Sequence, residues 1–345
     1  MSNAPFFWKT RPEEQEETLA LVKRGTVTKV GDSAGGRPIY KVEYGKSNLP
    51  KGTANLSSAL GAHDIRAYAD KTGADYIPTV FLVGCVHGGE FEGTAAVLNL
   101  IKMIETGTDY KGERDEELLS LVDRVHLIII PMANPDGRCH IPFDTYVGRT
   151  FFDLRYYNQG TWKDGTLCGH PGCKKITPLK DHVDYLGGYF NDAGENMMHE
   201  DFFGKVSAGT RAVLDVCREE APDFSILLHG GDNCRNYLCA PCYSAIKVKK
   251  EICELELMID EASKKENIPF LVRGLRRPEE NETPPAFNLE SAMHHCCGEP
   301  AITYECNQGL CDWGQVSYTH EQMYSAHKIL FRETMKHVLK KYGKL

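Results

Sequence analysis

The chain has 345 residues, 40 Lys and Arg against 48 Asp and Glu, a formal net charge of −8, and 41% hydrophobic with 26% charged residues. This is an ordinary globular composition with length for a sizeable core, and its acidic balance gives no general drive toward nucleic acid or an anionic membrane. No segment approaches the ~18 consecutive apolar residues of a membrane span.

The amino end lacks a basic stretch followed by an apolar one, so no secretory signal is read there. Ser2-Asn3-Ala4 has the look of a cloning scar, which leaves secretion open. Residues 13–24 are expected as a surface helix before strands at 26–30 and 38–44, and residues 46–78 as a loop-rich connection. From Thr79 the pattern becomes strand, helix (91–104), charged loop and helix (109–122) and strand (124–131), then the turn Asn134-Pro135-Asp136-Gly137. These four residue types form turns through local hydrogen bonds and a fixed proline φ. Residues 138–203 show little periodicity and are rich in Gly, aromatic residues and Cys, as expected of a segment walling a cleft.

A helix at 205–220 leads into a strand at 223–229, and a long helix is expected at 244–266. Residues 273–285 read as a mobile loop, 301–307 as a strand, and 319–340 as an amphipathic closing helix. Alternating strands and helices without repeats or a clear linker predict one α/β domain over 1–345, with 1–78 as part of it and helices on both faces of the sheet. The 13 cysteines cannot all pair in disulfides. Free thiols in a reducing cytoplasm are the simplest reading, with a structural zinc site from Cys168, Cys173, Cys239 and Cys242 as the alternative.

Chemistry concentrates at the ends of three apolar runs. The first, 79–83, leads into His87-Gly88-Gly89-Glu90, where an imidazole and a carboxylate three residues apart can converge on one metal ion while the glycines let the backbone turn tightly. A catalytic zinc needs a third ligand and an open position for water. His229 fits, since it too closes an apolar run before glycines. The third run, Ala301-Ile302-Thr303-Tyr304-Glu305, carries a carboxylate into apolar surroundings, which is costly unless the group is paired or used. Near a zinc-activated water Glu305 is expected to act as general base.

With these parts in this order, the chain resembles the M14 family of zinc carboxypeptidases from about Thr79 to Gly309. The resemblance implies a central mixed sheet, one catalytic zinc on His87, Glu90 and His229, and hydrolysis of a peptide or amide bond with Glu305 as base. It also implies an arginine that polarises the scissile carbonyl, for which Arg155 and then Arg149 are the candidates, with Arg138 adjoining the turn. The family's Asp-x-Asn-Arg-Asn run has its best counterpart in Asp192-Ala193-Gly194-Glu195-Asn196. Asp192 is expected to receive the second nitrogen of His87, but the Asn-Arg pair that grips a terminal carboxylate has become Gly194-Glu195.

Glu195, Asn196 and Glu290 are therefore read as substrate-binding residues. The two acids favour a basic or amine-bearing group, on a peptide or an acylated amino acid. A deacylase resembling the aspartoacylase and desuccinylase group, or a catalytically silent binding module on the same fold, stands as the alternative.

Overall fold

Short runs of apolar residues become the strands that place the chemistry. The computed structural model describes residues 4–49, 56–63, 69–231, 234–275, 286–314 and 316–345. Its strands are β1 (Thr26–Asp32), β2 (Pro38–Tyr44), β3 (Thr79–Val83), β4 (His126–Ile130), β5 (Thr161–Trp162), β6 (Val183–Tyr185), β7 (Phe224–Gly230), β8 (Tyr237–Cys239) and β9 (Ala301–Cys306). The helices are α1 (Pro12–Leu19), α2 (Leu56–Gly61), α3 (Phe91–Thr106), α4 (Glu116–Val122), α5 (Pro135–Cys139), α6 (Phe151–Leu154), α7 (Ala208–Glu220), α8 (Ile246–Lys265), α9 (Leu289–Cys297) and α10 (His320–Lys341).

Seven strands form one mixed sheet in the order β1-β2-β4-β3-β7-β9-β8, and β5 and β6 pair separately. The four central strands run parallel, while β1, β2 and β8 pair antiparallel at the flanks. The strands β3 and β4 are buried along their whole length, as befits strands covered on both faces. Successive side chains alternate between two cores. Val80, Leu82, Leu127, Ile129, Ile226 and Leu228 pack with α3, α8 and α10. Phe81, Val83, Ile128, Ile130 and Leu227 pack with α7 and α9. The expected mixed sheet with helices on both faces is thus observed.

Some boundaries differ for stated reasons. The first helix ends at Leu19, short of residue 24, because the N–H groups of Lys23 and Arg24 donate to the Glu105 carboxylate instead of to the helix. Neither β8, only three residues long, nor α9, which stops at Gly298 with φ 79, was anticipated. Most of the expected mobile loop, 276–285, lies outside the described residues. No helix among the described residues is long and apolar enough to cross a membrane.

Two features of the topology position the site. The strands β3, β7 and β9 all point the same way, so residues following them gather at one edge. The chain passes from β3 to β4 on one side and later to β7 on the other, which opens a crevice at the carboxyl ends where ligands bind in open α/β sheets.

Candidate metal centre

After β3 the chain bends sharply. Cys85 adopts a left-handed φ of 52, and the next residues are squeezed against neighbouring backbone. A Cβ on Gly88 would lie 1.9 Å from the carbonyl carbon of Gly137, and one on Gly89 would lie 1.7 Å from Asn158 Oδ1. Backbone bars any side chain at Gly88, while at Gly89 the side chains of Asn158 and Ile141 would have to give way. The turn delivers His87 and Glu90, and Glu90 is the residue just before α3.

His87, Glu90 and His229 are all buried, with ligand-type atoms within 4.8 Å of one another. His87 Nδ1 is 2.8 Å from Glu90 Oε1, and His229 Nδ1 is 2.7 Å from Glu90 Oε2. The two imidazole rings stand edge to face with centroids 4.9 Å apart. Burial opposes charge on Glu90, but the two histidines outweigh it and hold the carboxyl down at about 2. On His87 burial wins and lowers the pKa; on His229 it is outweighed, and Glu90 raises the pKa.

Asn196 Oδ1 accepts from the Met198 N–H and lies 3.1 Å from His87 Nε2. An amide oxygen requires the proton on Nε2, which in a neutral ring leaves the Nδ1 lone pair facing Glu90. Glu90 Oε2 is buried without a hydrogen-bond partner despite its proximity to His229. Two nitrogens and a carboxylate that face one another in this way match the His and Glu donor set of catalytic zinc sites.

The expected role of Asp192 is corrected here. Its carboxylate is 2.8 Å from His140 Nε2 and accepts from Arg37 at 2.8 Å, so Asn196, read as a substrate residue, occupies the second nitrogen of His87 instead. Glu195 turns its carboxylate back onto Asn191 Nδ2 at 2.8 Å. Asn134 caps α5 by accepting from Gly137 N–H, and fully buried Asp136 accepts from Ser33, Gly35 and Arg37, so the turn is architectural. Glu305 is the direct register partner of His229 on the neighbouring strand, and a Cβ on Gly231 would sit 2.9 Å from its Oε2. Glu290 is 3% exposed, with Oε1 near Asn288 and Oε2 unpartnered. Burial raises its pKa.

The three arginines separate clearly. Arg138 is buried and held by Asp144 and by the carbonyls of Thr10, Ile141 and Phe143. Arg149 stacks on Phe143 at 3.6 Å and donates to Thr145 O. Arg155 lies over Phe151 at 4.9 Å with its buried Nε unpartnered.

Residues not singled out from the sequence also reach the site. Tyr189 stacks on His87 with centroids 4.0 Å apart. Burial, together with the charges of Lys174, His87, His170 and His229, pushes His199 down to about 3. Both residues fall in the 138–203 stretch that composition alone marked as a cleft wall. The four cysteines considered for a structural zinc site form no metal-holding group among the described residues. Cys173 is buried in an apolar cluster with Cys168, and Cys239 receives Arg273 at 3.2 Å.

The M14 family model, described as zinc carboxypeptidase, matches residues 21–267. The chain belongs to the zinc carboxypeptidase family. This carboxypeptidase relative is therefore a metallopeptidase, a hydrolase of a family that is zinc-dependent and acts on peptides. Its fold is similar to a metallo-carboxypeptidase from Burkholderia cenocepacia, with a TM-score of 0.59 and 16% identity over 95% of this chain and 70% of that one. It is also similar to a Pseudomonas aeruginosa metallo-carboxypeptidase in complex with (2-guanidinoethylmercapto)succinic acid, with a TM-score of 0.56 and 13% identity over 96% and 69% of the two chains. A carboxypeptidase A from Helicoverpa armigera gives a TM-score of 0.52 and 14% identity over 99% and 76%. A search of curated proteins gives no match. Both Glu290 and Glu305 lie beyond the stretch matched by the family model.

Proposed function

We propose that His87, Glu90 and His229 hold one catalytic zinc, and that the enzyme cleaves a peptide or amide bond with Glu305 as general base. The observation that carries this reading is the register that pairs His229 with Glu305. Neighbouring strands lie roughly 4.8 Å apart, so a proposed ligand and a proposed base leave the sheet side by side. When bound, zinc supplies Lewis-acid chemistry, easing deprotonation of water near neutral pH and polarising a carbonyl. Glu305 takes the proton of the attacking water on its carboxylate and passes it to the departing amine nitrogen. Arg155, whose Nε has no partner, donates to the carbonyl oxygen as it gains negative charge. Arg149 has less to offer because its ring contact and its bond to Thr145 hold it in the wall.

Glu290 supports a substrate with a basic group near the cleaved bond, since its buried Oε2 lacks a partner. The usual Asn-Arg carboxylate clamp is absent at Gly194 and Glu195, and no replacement is needed for the chemistry at the bond itself. The test is hydrolysis of a mixed peptide library by zinc-loaded wild type beside Glu305→Gln, with products read by mass spectrometry. Wild type is expected to release products, and the variant to lose about 10²- to 10⁴-fold in rate. Equal rates would remove Glu305 from the mechanism. No cleavage at full zinc occupancy would move the assignment to a deacylase of N-acyl amino acids or a silent binding module.

A further inference from the structure

A guanidinium that must donate to a carbonyl oxygen cannot be held by hydrogen bonds without losing the N–H groups the substrate needs. The buried Nε of Arg155 has no partner, and the guanidinium is held instead by a ring, lying over Phe151 at 4.9 Å. Phe151 opens α6 and Arg155 follows it by one helical turn, so the two side chains share a face. The Phe151 ring is braced in turn by Trp313, which lies parallel to it with centroids 4.0 Å apart and planes 7° from one another. Arg149 shows the contrast, since over Phe143 at 3.6 Å it also spends its Nε–H on Thr145 O.

Backbone bonds fix where these rings meet. Gly148 N–H donates to Gly309 O, Cys311 N–H to Arg149 O at 2.8 Å, and Phe151 N–H to the Asp312 carboxylate at 2.7 Å. The segment before Arg155 is thereby laced to the segment that leaves β9, the strand of Glu305. On its other side Arg155 opens the single π turn Arg155–Gln159, a turn type frequent at functional sites. Asn158 of that turn fills the space beside Gly89, between the proposed ligands His87 and Glu90. Its carbonyl accepts from the N–H of Tyr189, the residue stacked on His87.

We propose that Phe151 and Trp313 are positioning residues that aim the Arg155 guanidinium at the scissile carbonyl oxygen. An aromatic face attracts the cation and fixes its plane while leaving its N–H groups free. Because Trp313 stands on the segment leaving the Glu305 strand, the same contacts tie the place of the oxyanion donor to that of the general base.

The inference rests on Arg155 as donor in the peptidase reading, and a double-mutant cycle separates the two. The best peptide of the library is hydrolysed by zinc-loaded wild type, Phe151→Leu, Phe151→Tyr, Trp313→Ala and Arg155→Met. Phe151→Leu and Trp313→Ala are each also combined with Arg155→Met. Zinc content and thermal melting serve as folding controls, and Trp313, at 48% exposed, can be removed without opening the core. Arg155→Met is expected to lower kcat by about 10²- to 10³-fold. Phe151→Leu should lower kcat by about 3- to 30-fold, the range for a cation over a ring, with little change in KM. Trp313→Ala should lower it by about 2- to 10-fold, the range for a ring pair. Phe151→Tyr, which keeps the aromatic face, should recover most of the loss. With Arg155→Met present, neither Phe151→Leu nor Trp313→Ala should change kcat by more than about 2-fold. Losses of equal size with and without the arginine would overturn this inference alone, as would wild-type kcat in both single variants. Wild-type kcat in Arg155→Met would overturn the arginine's role and this inference with it, leaving zinc and Glu305 in place. No cleavage by wild type would overturn the peptidase reading and this inference together.

Discussion

A metal-binding imidazole has two nitrogens, and the partner of one decides what the other offers. In the proposed zinc site Asn196 is that partner for His87, through an oxygen already oriented by the Met198 N–H. Residues in this position fix the tautomer and the ring angle, and their loss typically weakens metal binding by about 10- to 100-fold. Asn196→Ala is therefore expected to lower zinc affinity by that order in competition with a chromophoric chelator, while Asn196→Asp, which keeps the acceptor, retains most of it. Equal affinity in all three proteins would show that Asn196 does not set the ring. From the sequence, an aspartate was the natural choice for this contact. Asp192 is drawn away because Arg37, just before β2, and His140, just after α5, both reach it, and those neighbours are far off along the chain.

At the scale of elements, the site depends on the close approach of the turn after β3 to the turn that begins α5. Gly88 N–H donates to Gly188 O, and the space a side chain would need on Gly88 is filled by the backbone of Gly137 and Arg138. Backbone cannot rotate out of the way as a flexible side chain can. Gly88→Ala is expected to cost about 1–3 kcal/mol in denaturant unfolding, the usual range for overpacking, and to reduce zinc uptake by displacing His87. Gly73→Ala, where a Cβ meets nothing within 4 Å, should stay within about 0.5 kcal/mol of wild type. Similar losses in both variants would mean that the contact between the two turns is not tight.

For the molecule as a whole, a charge network ties distant segments together just before the starts of β7 and β9, at the strand ends opposite the metal cluster. Lys71 reaches Asp223 at 3.0 Å and Glu299 at 3.4 Å, while Lys341 at the end of α10 reaches Glu299 at 2.8 Å. Burial opposes charge on Glu299, but Lys71 and Lys341 outweigh it and hold its carboxyl down at about 2. The folded pKa lies below the unfolded one. Its stabilisation is thus complete above the ordinary carboxylate range and is lost as pH falls from about 4.5 toward 2. In metal-free protein, urea unfolding across that window should lose stability more steeply for wild type than for Glu299→Gln, by about 1 kcal/mol per pH unit. Parallel pH profiles would place the acid sensitivity elsewhere.

The sequence by itself determined the central strands and the order of chemical residues at their ends. Apolar runs such as 79–83 and 224–228 are local signals, and a strand buried on both faces has little choice of composition. His87, Glu90, His229 and Glu305 follow such runs, so their convergence needed only the strands to lie parallel in one sheet. Only the tertiary structure decided what surrounds them. The 138–203 segment has no hydrophobic period to read, and its placement comes from contacts made across long separations, such as Asn196 to His87 and Tyr189 over the same ring. Cys173 is held by packing with Cys168, Leu179 and Phe190 that no spacing along the chain encodes. Strand ends are set by short-range patterning, whereas the walls of a cleft are set by which distant surfaces come to exclude water from one another.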